Sequence, residues 1–223
     1  MDYRHEWKIE INAADYLSLR TRLQAVMKQD THAIDGKYFI RSLYFDDSVD
    51  SALRDKIDGV NRREKFRIRY YNKDTSFICL EKKSKLNSLC NKQSAQITEK
   101  EAQAIVDGNF AWIMDSSIPL LQELYCKIKT NGLRPKTVVD YIREPFTYKP
   151  GNVRVTLDYN IRTSISCTDF LNTDCVTIPA GDAPILMEVK WDAFLPDIIR
   201  DTVWLPGRRA AAFSKYAQCR IYG

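Results

Sequence analysis

The sequence is poor in the residues on which much active-site chemistry depends. It has two histidines, His5 and His32, in 223 residues. That leaves little room for a histidine-based zinc site or a Ser–His–Asp triad. Its six cysteines (Cys79, Cys90, Cys126, Cys167, Cys175 and Cys219) are scattered without a CxxC pair. This is the pattern of free thiols in a reducing compartment. Its eight glycines compose neither GxGxxG nor GxxxxGK[ST], so any phosphate recognition must use side chains and not a glycine-rich loop. No apolar run approaches the ~18–20 residues of a spanning helix, and no membrane segment is expected in this chain. The opening stretch MDYRHEWKIE is too polar for a signal peptide, so the expected location is cytoplasmic. There is no internal repeat, low-complexity stretch or linker, and the expectation is a single domain over 1–223.

What the chain does have is alternation. Lys65 to Lys85 reads KFRIRYYNKDTSFICLEKKSK, two strands joined at Asn72–Lys73–Asp74. Phe66, Ile68 and Tyr70 alternate with Arg67, Arg69 and Tyr71. Across the turn, Ile78 and Leu80 alternate with Cys79, Glu81 and Lys83. A strand places every second side chain on one face, so Arg67 shares a face with Arg69, and Glu81 with Lys83. The pattern recurs with Arg4, Glu6 and Lys8, with Arg154, Thr156 and Asp158, and with Glu188 and Lys190. A solvated sheet face explains each segment singly. One polar lumen lined by all of them explains the set with fewer assumptions.

The remaining pattern places strands at 3–11, 37–45, 62–72, 75–86, 136–146, 152–162 and 184–191, with a weak one near 175–178. Helices are expected at 12–28, capped by Asn12, and after Asp46–Asp47 as far as Gly59. Others are expected at 98–107, behind the capping box TEKE, and from Pro119 to Gly132. The polar stretch 87–97 reads as loop. The tail from Asp197 reads as one or two helices, the last over GRRAAAFSKYAQC at 207–219. Seven or eight mostly antiparallel strands with apolar-striped helices give an α+β fold, an antiparallel barrel with helices packed outside. Closure would remove the exposed sheet edges. The apolar faces (Phe66, Ile68, Ile78, Leu80, Met187 and Val189) should then point outward at the helices, and the charged faces inward.

The inward candidates are Arg4, Lys8, Arg67, Arg69, Lys83, Arg143, Arg154, Lys190 and Lys215 against Glu6, Glu81, Asp158 and Glu188. Their excess of five positive charges equals the formal net charge of +5. Clustered cations repel at low dielectric, so such a set is tolerable where it binds a multivalent anion. Arginine forks and lysine point charges both suit phosphate oxygens, and a linear phosphate chain fits a lumen. The carboxylates oppose anion binding unless a divalent cation such as Mg²⁺ or Mn²⁺ bridges them to phosphate. Glu6, Glu81 and Glu188 come from three strands that could converge, although each also suits a cross-strand salt bridge. Nucleic acid is not expected as a partner, because the outer surface should be near neutral.

The motifs RxExK at 4–8, YFDD at 44–47, RIRYY at 67–71, LEKK at 80–83, YIRE at 141–144, RVTLDYN at 154–160, MEVKW at 187–191 and SKY at 214–216 resemble the VTC polyphosphate polymerase domain. That domain belongs to the triphosphate tunnel metalloenzymes, and the resemblance covers about residues 3–218. It implies an eight-stranded antiparallel tunnel that binds triphosphate or polyphosphate with a divalent metal, and transfer of the ATP γ-phosphate to a growing polyphosphate chain. It implies phosphate contacts at Arg4, Lys8, Arg67, Arg69, Lys83, Arg143, Arg154, Lys190, Ser214 and Lys215. Of these, Arg67, Arg69, Lys83 and Lys215 would be catalytic. Glu188, with Glu81 and Glu6, would hold the metal. Many tunnel hydrolases open with ExExK, and Arg4 in the first position favours the polymerase branch over a hydrolase. The alternatives are a tripolyphosphatase or nucleoside triphosphatase of the same fold, and a non-catalytic polyphosphate-binding module.

Overall fold

A computed structural model describes residues 4–86, 89–182 and 184–221. Eight long or medium strands form one antiparallel sheet: β1 (His5–Ile11), β3 (Tyr38–Asp46), β4 (Arg63–Tyr71), β5 (Asp74–Leu86), β6 (Leu89–Ile97), β7 (Arg134–Tyr148), β8 (Val153–Thr163) and β10 (Ile185–Trp191). Their spatial order is β1-β10-β8-β7-β3-β4-β5-β6. Two two-residue strands lie off this path. β2 (Lys28–Gln29) pairs with β7, and β9 (Ile178–Pro179) pairs with β8.

Local chemistry sets the boundaries. The β4–β5 hairpin turns on Asn72 and Lys73, both at positive φ (52° and 60°), the mirror-image turn that matches strand twist. Helix α1 (Ala13–Val26) starts in a reciprocal capping box between Asn12 and Asp15. Helix α2 (Ser51–Ile57) takes its N-terminal bonds from the two preceding aspartates: Asp47 accepts from Ser51 N, and Asp46 from Ala52 N and Leu53 N. Helix α3 (Glu99–Val106) has the Thr98–Glu101 box, and Gly132 (φ 69°) ends α4 (Pro119–Asn131). Two short helices follow, α5 (Asp197–Val203) and α6 (Lys215–Ile221).

The apolar strand faces point outward, as alternation requires. Phe66, Ile68, Ile78 and Leu80 pack with Ala102 and Ile105 of α3 and Leu121, Leu124 and Ile128 of α4. Met187, Val189, Val155 and Leu157 pack with Leu19 and Leu23 of α1 and Ile199 and Val203 of α5. A third apolar cluster lies on the other face. There Ile40, Tyr44, Val139 and Tyr141 meet Tyr216 and Cys219 of α6. The C-terminal helix thus fills part of the lumen, and Tyr216 Oη donates to Asp46 at 2.6 Å.

Four expectations need correction. The stretch read as loop at 87–97 contains strand β6, in register with β5 from Leu89 to Ile97. It is an edge strand with one lumenal face, so its composition is polar and only Ala95 and Ile97 join the outer cluster. The last helix begins at Lys215, not at 207. Gly207 (φ 74°) breaks the chain direction, and 208–214 runs as a strap beside β1, with Ala211 N donating to Lys8 O at 2.8 Å. The weak strand sits at Ile178–Pro179. Among the described residues no ladder joins β1 to β6. The two ends of the curled sheet are instead linked by Lys83 Nζ on β5, 3.3 Å from Glu6 on β1, while the strap lies along β1.

One polar contact fixes α1 to the outer wall. Glu144 of β7 is fully buried (0% exposed). It accepts from Tyr16 Oη at 2.7 Å, Arg20 Nε at 2.8 Å and Tyr159 Oη at 3.0 Å. Burial pushes its carboxyl up, but those donors outweigh it and hold it below the usual carboxylate range. A lowered folded-state pKa stabilises the fold above the unfolded value, and the gain is lost as pH falls through the folded one. Glu144→Gln should therefore cost about 1.5–3 kcal/mol at neutral pH. In urea melts across pH, the gap to wild type should close on acidification. A constant gap would contradict the ionised clamp.

Candidate functional site: a cationic lumen

Side chains from all eight main strands, from Phe213 and Ser214 of the strap and from Lys215 at the start of α6 converge on one cavity of about 580 Å³. Thirteen of the fourteen residues singled out from the sequence line it: Arg4, Glu6, Lys8, Arg67, Arg69, Glu81, Lys83, Arg143, Arg154, Glu188, Lys190, Ser214 and Lys215; Asp158 is fully buried and is not part of the lining. They are not equivalent. Arg4 Nε lies 2.7 Å from Asp192, and Arg154 is 3.6 Å from Asp30. Both are drawn to partners that are not among the cavity's lining residues.

The interior cations sort around four carboxylates. Glu81 faces Arg67 at 2.6 Å, Arg69 at 3.8 Å and Lys92 at 2.6 Å. Glu6 and Glu188 share Lys8 (3.2 and 3.9 Å) and Lys190 (3.4 and 2.5 Å), and Lys83 reaches Glu6. Asp158 takes both prongs of Arg143 at 2.7 Å and Lys215 at 2.6 Å. Register makes these sets: Arg67 is directly opposite Glu81, Lys8 opposite Glu188, Glu6 opposite Lys190 and Arg143 opposite Asp158. The arginines are also fixed by phenols. Arg67 Nη1 donates to Tyr44 at 2.7 Å, Arg69 Nη2 to Tyr141 at 2.9 Å, and Arg69 Nε to Ser42 at 3.0 Å. Lys215 Nζ stands 4.7 Å over the Tyr141 ring, a favourable place for a cation.

Burial pushes each of these carboxyls up, and the cations outweigh it. Arg67, Arg69 and Lys92 hold Glu81 low. Lys190, Lys8, Arg143 and Lys83 hold Glu188 low. Arg143 and Lys215 do the same for Asp158. Lys65 is the opposite case. Burial, then Lys83, Lys8, Arg67 and Lys215, drive its ammonium well below the usual lysine range. Among the described residues its side chain donates one hydrogen bond, to Ser214 Oγ at 3.3 Å. With Lys65 and the exposed Lys92 added, nine cations among the described residues (with Lys8, Arg67, Arg69, Lys83, Arg143, Lys190 and Lys215) line the cavity around Glu6, Glu81, Glu188 and Asp158. Sequence reasoning passed over both. Lys65 shares the face of Arg67 and Arg69 by simple alternation, so its signal was present. Lys92 sat in the stretch read as loop.

The three glutamates do not form one cluster. Glu6 and Glu188 share two lysines, whereas Glu81 shares neither and is held by the arginines opposite it and by Lys92. Among the described residues no group of three or more His, Cys, Asp or Glu is placed to hold a metal by itself. The Glu6–Glu188 pair still suits a hard cation that takes one or two carboxylates and completes its shell with phosphate oxygens. A further oxygen is at hand. Thr156, opposite Glu188 in register and 3% exposed, has a buried hydroxyl without a hydrogen-bond partner.

The family model for the VTC domain matches residues 3–221, and the chain belongs to that family. In structure it is similar to a candidate adenylate cyclase from Bacillus halodurans, with a TM-score of 0.50 at 14% identity over 85% of this chain and 80% of that one. Two Pyrococcus horikoshii proteins match with TM-scores of 0.44 and 0.46, at 13% and 12% identity, over 90% of this chain and 84% and 85% of theirs. At such identities the likeness to the Bacillus protein establishes the shared antiparallel tunnel fold and nothing finer. No curated protein matches the sequence. No helix among the described residues is long and apolar enough to cross a membrane.

The state of Lys65 gives a direct test of where an anion enters. A polyanion beside it would raise its pKa back toward the ordinary lysine value, so binding should take up protons across the pH range in which Lys65 titrates in the free protein. Calorimetry of tripolyphosphate in buffers of different ionisation enthalpy should show that uptake, and Lys65→Met should remove most of it. Proton-neutral binding by the wild type at every pH from neutral to the ordinary lysine range would contradict an anion site at Lys65.

Proposed function

We propose that this chain is a metal-dependent polyphosphate polymerase, transferring the γ-phosphate of ATP to a growing polyphosphate chain inside the lumen. The observation that carries the reading is the unbalanced, preorganised set of nine cations around one cavity, set against Glu6, Glu81 and Glu188 in its lining and the buried Asp158 that Arg143 and Lys215 hold. Membership of the VTC family over residues 3–221 supports it. Phosphoryl transfer needs positioning and charge neutralisation more than covalent help from the protein.

In this reading Arg67, Arg69, Lys83 and Lys215 contact the reacting phosphates. Lys8, Arg143, Lys190 and Ser214 hold the flanking ones, and Arg4 and Arg154 contact the chain as well. The terminal oxygen of the acceptor chain attacks the γ-phosphorus. The bond from the γ-phosphorus to the β,γ-bridging oxygen breaks, and ADP leaves with the electron pair. The acceptor oxygen is already anionic, so no histidine or serine base is required. The fixed guanidinium groups of Arg67 and Arg69 would meet charge on the transferred group without reorganisation. Glu188 and Glu6 would hold a Mn²⁺ or Mg²⁺ ion, which neutralises phosphate charge when bound. Glu81 is better placed to orient Arg67 and Arg69 than to bind metal.

Purified protein with ATP and Mn²⁺ should yield long-chain polyphosphate on a gel, and excess EDTA should stop it. Glu188→Ala should lower the rate by about a hundredfold or more. Inorganic phosphate released in step with ATP consumption would make the protein a hydrolase. Tight polyphosphate binding without turnover would make it a binding module.

A further inference from the structure

The lumen does not end at the catalytic cavity. A second cavity of about 270 Å³ adjoins it, and Glu6, Lys8, Lys65 and Lys83 line both. Beyond these shared residues the second cavity is walled by Lys56 of α2, Arg63 of β4 and Lys85 of β5, with the strap Ala210–Phe213 on one side. None of these three cations has a role in the reaction above.

Their charges are unanswered. Among the described residues neither Lys56 nor Lys85 has a carboxylate partner. Lys56 Nζ donates to the Ala212 carbonyl at 3.1 Å, and Arg63 Nη1 to the Val60 carbonyl at 2.6 Å. Two carboxylates line the cavity, and both are committed elsewhere. Glu6 is divided among Lys8, Lys83 and Lys190, and Glu64 is taken by Lys82 and Lys127. Burial, with Arg63, Lys8 and Lys85 nearby, holds the Lys56 ammonium below its usual range. Cations crowded around one space without counter-charges are stabilised by a multivalent anion in that space.

We propose that this second cavity is an acceptor-chain site, in which Lys56, Arg63 and Lys85 hold the units of a long polyphosphate that extend past the lumen. The proposal rests on the polyphosphate reading of the lumen and adds to it a selectivity for chain length. A nucleoside fits the same space less well. Apart from the committed carboxylates and the Cys90 thiol, a weak hydrogen-bonding group, the lining offers a base edge one uncharged polar side chain besides the Tyr216 phenol: Ser214. Ser214 Oγ is occupied by Lys65, and the Tyr216 phenol donates to Asp46. The positive groups outnumber such partners and suit phosphate.

Calorimetry at fixed salt, comparing size-fractionated long-chain polyphosphate, tripolyphosphate and ATP, decides the matter. Lys56→Ala/Lys85→Ala should weaken long-chain binding by about tenfold or more while changing tripolyphosphate and ATP by less than about threefold. The surface pair Lys73→Ala/Lys129→Ala removes the same charge and should leave long-chain binding within about threefold. Lys56→Arg/Lys85→Arg should keep it, which guards against a folding defect. Equal loss on all three ligands, no loss on the long chain, or an equal loss in the surface pair would overturn the site. A loss confined to ATP would make it a nucleoside pocket and would equally overturn it. If the wild type binds no phosphate chain at all, the lumenal reading fails and this site with it. If the wild type binds and only the chain-length effect is missing, this site alone fails.

Discussion

The structure turns on unbalanced positive charge enclosed by a sheet. Each interior cation is costly by itself, because desolvation and like-charge repulsion act together at low dielectric. Four carboxylates make the arrangement stable without a ligand, and strand register delivers each one directly across from a cation. The balance is incomplete, and Lys65 shows the shortfall: Lys83, Lys8, Arg67 and Lys215 all act on it, and among the described residues no carboxylate forms an ion pair with it. In the proposed function a phosphate chain would supply what is missing. The carboxylates can then be read as stand-ins that keep arginine and lysine side chains extended and aimed until the anion arrives. Such preorganisation places the cost of ordering in folding and not in binding.

The outer wall makes this possible. Apolar stripes on α1, α3, α4 and α5 cover the outward strand faces, so the hydrophobic effect is spent outside the sheet and the interior is free to be polar. A slip of one residue would send Arg67 and Arg69 under α3 and α4 and bring Phe66 and Ile68 inward. Packing and function therefore specify the same register. The turn at Asn72–Lys73, with both residues left-handed, fixes it for the hairpin that carries Arg67, Arg69 and Glu81. At the other end α6 closes part of the interior with Tyr216 and Cys219, and Lys215 at its start reaches Asp158. The C-terminal segment is thus both plug and site wall.

Much of this could be read from the chain, because period-two alternation reports strand faces directly. The inward placement of Arg67, Arg69, Glu81, Lys83, Glu188 and Lys190 required only that rule and the recognition that ionic faces recur. Three features were hidden for physical reasons. Strand β6 has a lumenal face and a free edge, so LCNKQSAQI lacks the apolar alternation that marks a strand, and Lys92 was lost with it. The strap at 208–214 has good helix formers, but it follows a left-handed glycine and bonds to β1 instead of to itself. The partition of the glutamates depends on which cation each one meets across the sheet, which spacing within one strand cannot report.

The central claim is that Arg67 and Arg69 grip phosphate from inside the sheet, and one measurement bears on it most directly. Calorimetric titration of tripolyphosphate into the wild type, Arg67→Ala, Arg69→Ala and Lys73→Ala compares two lumenal arginines with a lysine on the turn of the same hairpin. Each lumenal substitution should weaken binding by about tenfold or more, at about 1.5–3 kcal/mol per charge-assisted contact, with Lys73→Ala near wild type. Equal losses at all three positions would mean that the anion is held by general surface charge, and would contradict the lumen as the site.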